Sequence, residues 1–187
     1  MTTNRDKMLR KAAEFLGQRP AASLDEIATA LTVSRATLHR HFAGRPALIA
    51  ALRDVAVTEL EAALTSARLT EGSAIEALQR LVIACEPAAG YLVLMYSQSR
   101  ELDVEETLSF FNTLDDAITT LFARGQQAGE FRTDLTAVWL TEAFYSLVTG
   151  GAWAIQIGRV AGRDFTHMIT SLLLQGITVA ADLKRSP

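Results

Sequence analysis

The chain has 187 residues, 49% of them hydrophobic, enough for the core of one compact domain or two small helical ones. Its one cysteine, Cys85, excludes an intrachain disulfide and fits a reducing cytoplasm. The formal charge of −3 is unevenly spread: residues 1–53 hold nine Lys/Arg against four Asp/Glu, a local +5 that leaves −8 for the rest. The basic end is suited to a polyanion and the acidic end is not.

Sparse Gly and Pro and almost no β-branched alternation predict an all-α chain. The first helix spans about 5–17, and its surroundings contain no hydrophobic signal core. Helices at about 23–30 and 34–41 follow. Ser23 and Glu26 form a capping box before an Ile27/Leu31 stripe. Thr32-Val33 interrupts it, Ser34 caps again, and Leu38 and Phe42 repeat the i, i+4 spacing. Ala28 is small enough for the two helices to cross closely. This is the pattern of a helix-turn-helix, whose second helix enters the major groove.

The polar residues of that second helix agree. Arg35, Thr37, His39, Arg40 and His41 supply cations and neutral donors, and no acid lies between Glu26 and Asp54. Arg35, at the helix start, suits bidentate contact with guanine, and Ala36 suits a thymine methyl. Thr37 and His39 are expected on phosphates. Arg40 reaches a base or the backbone. His41 either packs under the helix or touches a phosphate. Ser34 caps the helix at the base edges. Arg45, followed by Pro46 at a helix start, and the Ser23 helix end are expected to hold the DNA backbone on either side.

The stretch SLDEIATALTVSRATLHRHFAGRPALIAAL resembles the DNA-binding domain of TetR-family regulators. The residues that carry the likeness are Ser23, Ile27-Ala28, Val33-Ser34, Thr37-Leu38, His41-Phe42 and Arg45. The stretch is about a sixth of the chain; the remainder agrees in length and helical character. Three positions depart from the pattern. His39 replaces a tyrosine that usually touches the DNA backbone, Thr32 replaces the turn glycine, and Gly17-Gln18-Arg19-Pro20 replaces a glycine-aromatic connection. The resemblance implies a homodimeric repressor on a near-palindromic double-stranded operator, released by a small-molecule effector of unknown identity. The alternative is a DNA-binding regulator with no small ligand, controlled by a protein partner or by abundance.

Beyond the basic end, helices are expected at about 46–67, 73–87, 89–99, 103–128, 134–158 and 164–183. The first of these joins a DNA-binding domain, 1–45, to a ligand-binding and dimerisation domain, 46–187. Ser73/Glu76 and Asp103/Glu106 read as capping boxes, and Asp134 and Asp164 as N-caps. Pro87 and Gly90 break one apolar run, and Gly129 and Gly162 fit helix ends. Cys85 sits in the apolar run LVIACEP, as a buried, inert thiol would.

The resemblance implies a pocket in the second domain, and the candidate lining is Tyr91, Met95, Phe110, Phe111, Leu114, Asp115, Ile118 and Phe144. Aromatic residues at helical spacing also suit a plain core, so both readings stay open. Asp115 falls inside an apolar arc and needs a partner: Arg80, a water or a cationic ligand. The segments 143–158 and 165–181 lack charge all round, so one bundle covers one side and a second copy of the chain the other. They are too short and too polar to cross a membrane, and a cytoplasmic location is expected. Two of three histidines lie in the basic helix. No phosphate loop, nucleophile motif or Cys/His metal spacing appears, so catalysis, a metal and a cofactor are not expected.

Overall fold

A computed structural model describes residues 4–97 and 104–178, with the backbone alone for 4, 96, 97 and 104–110. Among the described residues the helices are α1 (Asn4–Gln18), α2 (Leu24–Ala30), α3 (Arg35–His41), α4 (Arg45–Ala67), α5 (Ala74–Cys85), α6 (Ala89–Ser97), α7 (Val104–Gln127), α8 (Ala137–Gln156) and α9 (Phe165–Ile177). Short 3-10 turns at Glu86–Ala88 and Gly162–Asp164 precede α6 and α9. One isolated β-bridge joins Phe131 to Thr178.

Local chemistry starts the helices. The hydroxyls of Ser23, Ser34 and Ser73 each accept the N–H three residues on, at the starts of α2, α3 and α5. These bonds satisfy donors that a helix start leaves unpaired. The capping boxes of Ser23/Glu26 and Ser73/Glu76 are both complete. The Asp103/Glu106 box lies outside the described residues.

Several boundaries differ from expectation. Thr136, not Asp134, caps α8, because the Asp134 carboxylate is held by the Arg132 guanidinium. Asp164 precedes α9 but makes no capping bond, since a 3-10 turn leads directly into that helix. Gly158, at φ +74°, follows the end of α8, while Gly162 opens the next turn. Gly90 lies inside α6, so Pro87 and its 3-10 turn alone make the break.

The helices enclose two cores. The first joins α1, α2, α3 and the first half of α4 through Leu9, Leu16, Ile27, Leu38, Phe42 and Leu52. The second joins the rest of α4 to α5, α7, α8 and α9 around Leu81, Phe122, Phe131, Phe144 and Phe165. Burial of each such side chain contributes roughly 1.5–3 kcal/mol. Two helices belong to both cores. On α4, Leu48 and Leu52 face the first and Leu60 and Ala63 the second. On α6, Tyr91, Leu94 and Met95 enter the first, and Leu92 and Val93 the second. A helix apolar all round must be covered all round, and residues 91–95 of α6 are all buried. Residues 74–95 are long and apolar enough to cross a membrane, but 61% of their 18-residue apolar window lies inside the fold, and a 3-10 turn interrupts the segment.

The turn between α4 and α5 is fixed by three charged side chains. Arg80 donates to the carbonyls of Ala67, Arg68 and Glu71, at 2.8, 3.0 and 2.6 Å. Arg124 donates to those of Leu69 and Gly72, at 2.8 and 2.7 Å. The Glu130 carboxylate accepts the N–H groups of Ala74 and Ile75, at 3.1 and 3.0 Å. Arg80 is therefore committed to this turn.

Candidate functional site

The turn between α2 and α3 is built on Thr32, whose φ of +56° is left-handed. Side chains with a Cβ seldom adopt that conformation, which is why a glycine suits the position. It lets α3 fold back on α2, with Ile27, Ala28, Leu31, Leu38 and Phe42 all buried between them and α1. Arg5 on α1 sits over the Phe42 ring, 5.3 Å from its centroid. The opposite face of α3 is free of apolar bulk. Arg35, Ala36, His39 and Arg40 are exposed there, and Thr37 is half-buried.

The helix start is rigid. The Ser34 Oγ accepts the Thr37 N–H at 3.1 Å, and the two hydroxyls lie 2.9 Å apart. Three of these residues have intramolecular settings that spacing did not announce. His41 is exposed, its ring beside that of Phe42 at 6.2 Å, so it is not a core histidine; Leu38 and Phe42 fill the space beneath the helix. The Arg45 guanidinium donates to the carbonyls of Ala22, at 3.2 Å, and Pro20, at 2.5 Å, so it braces the connection into α2. The N–H and hydroxyl of Ser23 both donate to Glu26 Oε2 at 2.8 Å. Glu26 and Asp25 thus place carboxylate at a helix end expected to receive phosphate. The two bonds from Ser23, backbone first, hold the Glu26 pKa below its ordinary value. Sequence reasoning passed over Asp25, which pairs with Arg35 at 3.1 Å.

The predicted pocket residues divide between the two cores. Tyr91 and Met95 are buried in the first core, because the α6 face that carries them is turned to α1 and α4. Leu114, Ile118 and Phe144 are packed in the second core, and Phe111 is half-buried against both. The side chain of Phe110 lies outside the described residues. Asp115 is half-buried and does not meet Arg80. Its neighbour is Tyr145 on α8, whose buried hydroxyl is turned to the Asp115 carboxylate. Burial, and next the Asp115 charge, push the Tyr145 phenol far up. Burial alone raises the Cys85 thiol to about 12, as an inert cysteine requires.

Of the eight predicted residues, Tyr91 lines two surface cavities. One, of about 390 Å³, separates α1 from α6 and the end of α8 and is lined by Arg10, Glu14 and Gln156 among others. The other, of about 540 Å³, lies between α1 and α4. At the first, the Gln18 amide donates to the Gln156 carbonyl at 3.1 Å. A Cβ at Gly17 would stand 2.9 Å from Gln156 Oε1. The unusual Gly17-Gln18 connection is thus where the N-terminal unit rests on α8.

An exposed basic helix, capped at its N-terminus and backed by a crossing helix, defines a helix-turn-helix DNA-binding protein. Known proteins agree. Residues 8–52 match the family described as bacterial regulatory proteins, tetR family. The chain is 34% identical over 173 residues to the HTH-type transcriptional regulator NfxB of Pseudomonas aeruginosa, covering 91% of this chain and 92% of that protein. It is 28% identical over 175 residues to the HTH-type transcriptional repressor LfrR of Mycolicibacterium smegmatis, covering 94% and 91%. The crystal structure of LfrR in complex with proflavine matches with a TM-score of 0.70 and 26% identity, over 94% of this chain and 97% of that one. The chain belongs to the TetR family, whose members are regulators of transcription and not enzymes.

Proposed function

We propose that the protein is a homodimeric repressor that leaves a near-palindromic operator when a small molecule binds its helical body. The observation that carries this is an apolar outer face on the last two helices. Val138, Trp139, Trp153 and Leu172 are exposed at 62, 59, 42 and 61%. Ideal side chains at Gly150 and Gly176 would meet nothing within 4 Å, so a second backbone has room to approach. Large exposed apolar surfaces favour a protein partner. A second copy seated there pairs the two α3 helices for successive major grooves, about 34–36 Å apart.

Residues 1–45 act as the DNA-binding domain and 46–187 as the ligand-binding and dimerisation domain, coupled through α4 and α6. Repression and ligand control are supported by LfrR, a repressor in its name and a proflavine complex in its structure. The half-buried Asp115 carboxylate and the Tyr145 hydroxyl face each other within this body, and a ligand offering N–H donors would suit the carboxylate.

The test begins by selecting sites from random duplex DNA with the full chain, then measuring fluorescence anisotropy on the selected and scrambled DNAs across a salt series. Selective binding that weakens with salt is expected, with a dimer in sedimentation velocity. Arg35→Ala should cost roughly 1–3 kcal/mol on the selected site and relax its sequence preference. Equal losses on both DNAs would remove Arg35 as a base reader, and a monomer would remove the dimer.

A further inference from the structure

We infer that Asp25 is a specificity residue of the DNA interface, acting through Arg35; this rests on α3 being the helix that reads DNA. Asp25 stands in the first turn of α2 and Arg35 in the first turn of α3. Asp25 Oδ2 lies 3.1 Å from Arg35 Nη1, and the two side chains are 63% and 71% exposed. So open an ion pair adds little to folding. A first-turn acid is also favoured by the dipole of α2, but that effect needs no contact with Arg35, so folding does not account for the reach of this carboxylate to the Arg35 guanidinium. Glu26 is a different case, because its carboxylate is used by the Ser23 capping box.

The pair sorts the targets available to Arg35. Its guanidinium carries five N–H donors in a flat fork. Asp25 holds one nitrogen and leaves other donors to meet the O6 and N7 of a guanine. An arginine already held in place loses less freedom when it reaches a base. A phosphate that seeks the same guanidinium must come close to the Asp25 charge and is repelled. A guanine edge has no net charge and meets no such penalty. Asp25 thus suppresses backbone binding by Arg35 and preserves base binding.

The test is a double-mutant cycle on the full chain, read by anisotropy on the selected operator and on scrambled DNA across a salt series. Asp25→Asn keeps the shape and removes the charge. It should bind scrambled DNA several-fold tighter, with a salt slope steeper by about one, because Arg35 is free to neutralise a phosphate. The ratio of selected to scrambled affinity should fall by about tenfold, within the range one bidentate base contact provides. With Arg35→Ala already present, Asp25→Asn should move both DNAs equally and leave the ratio unchanged. Asp25→Asn should lower the melting temperature slightly, by the loss of one first-turn acid, and equally with and without Arg35, which separates this role from a structural ion pair. An unchanged ratio in Asp25→Asn, or the same fall with and without Arg35, overturns the inference while wild-type selectivity stands. Loss of selectivity in the wild type itself would overturn the DNA-reading assignment of α3 and this inference with it.

Discussion

Helices α3 and α8 each bury one face and expose another, and the exposed faces have opposite chemistry. On α3 the outer positions are Arg35, Ala36, His39 and Arg40, above a buried Leu38. On α8 they include Trp139, Gly150 and Trp153, above buried Leu140, Phe144 and Val148. A cationic face needs no cover and announces the charge of its target. An apolar face needs cover, and its composition does not name the element that supplies it. Helix α6 makes the point within one chain: it is as apolar as α8, yet the fold itself surrounds it, with Tyr91 and Met95 in one core and Leu92 and Val93 in the other. Apolar character all round thus has two outcomes here, a shared interior helix and an outward face.

Substitutions in the two regions sharpen this contrast. The largest effect is expected in the body, at Gly125 on α7. A Cβ there would stand 2.2 Å from a Phe131 ring carbon and 2.9 Å from the Ala74 Cβ, and Phe131 is fully buried. Gly125→Ala should destabilise by roughly 1–3 kcal/mol despite its better helix propensity. Urea unfolding at fixed protein concentration measures it, and a neutral result would mean that the α7–Phe131 packing is looser than described.

A smaller effect of opposite sign is expected in the N-terminal unit. Thr32 holds a left-handed backbone at φ +56°. Thr32→Gly should stabilise by about 0.5–1 kcal/mol, the relief of that conformation offset in part by the added freedom of the unfolded chain. A loss of stability on the same urea assay would show that the Thr32 hydroxyl, bonded to the Leu31 carbonyl at 2.7 Å, outweighs the strain.

The smallest effect is a matched pair of acid titrations. Bonds from Ser23 lower the Glu26 pKa in the N-terminal unit, and the Arg132 guanidinium lowers that of Asp134 in the body. A depressed carboxylate stabilises the fold fully above its unfolded pKa, near 4.5 for Glu26 and 3.8 for Asp134. That contribution is lost as pH falls through the lower, folded value. Stability should therefore decline with acid below those values. Glu26→Gln and Asp134→Asn should each make the decline shallower in a pH series of melting temperatures. A slope unchanged by either substitution would assign acid unfolding to other carboxylates.

The helix-turn-helix was legible because its signals are local. Ser23, Glu26 and Ser34 act on backbone groups three residues away, and Ile27, Leu31, Leu38 and Phe42 mark inner faces by spacing alone. Where a side chain reached across the chain, spacing gave no sign of its partner. Arg45 bonds the Pro20 and Ala22 carbonyls. Arg80 went to the turn after α4 instead of Asp115. Periodicity marks Tyr91 and Met95 as inward but does not say into which interior, and it offered no sign of an Asp25 partner for Arg35.

The sequence by itself determined the all-α class, the serine-capped starts of α2, α3 and α5, the basic outer face of α3 and the inert setting of Cys85, since each follows from contacts within a few residues or from composition. Only the tertiary structure decided that α6 divides its side chains between two cores, that α1 rests on the end of α8 through Gly17 and Gln18, that Asp115 faces Tyr145, and that Asp25 holds Arg35. Those pairings join residues from separate elements, and helical period fixes the face of a side chain without fixing its neighbour.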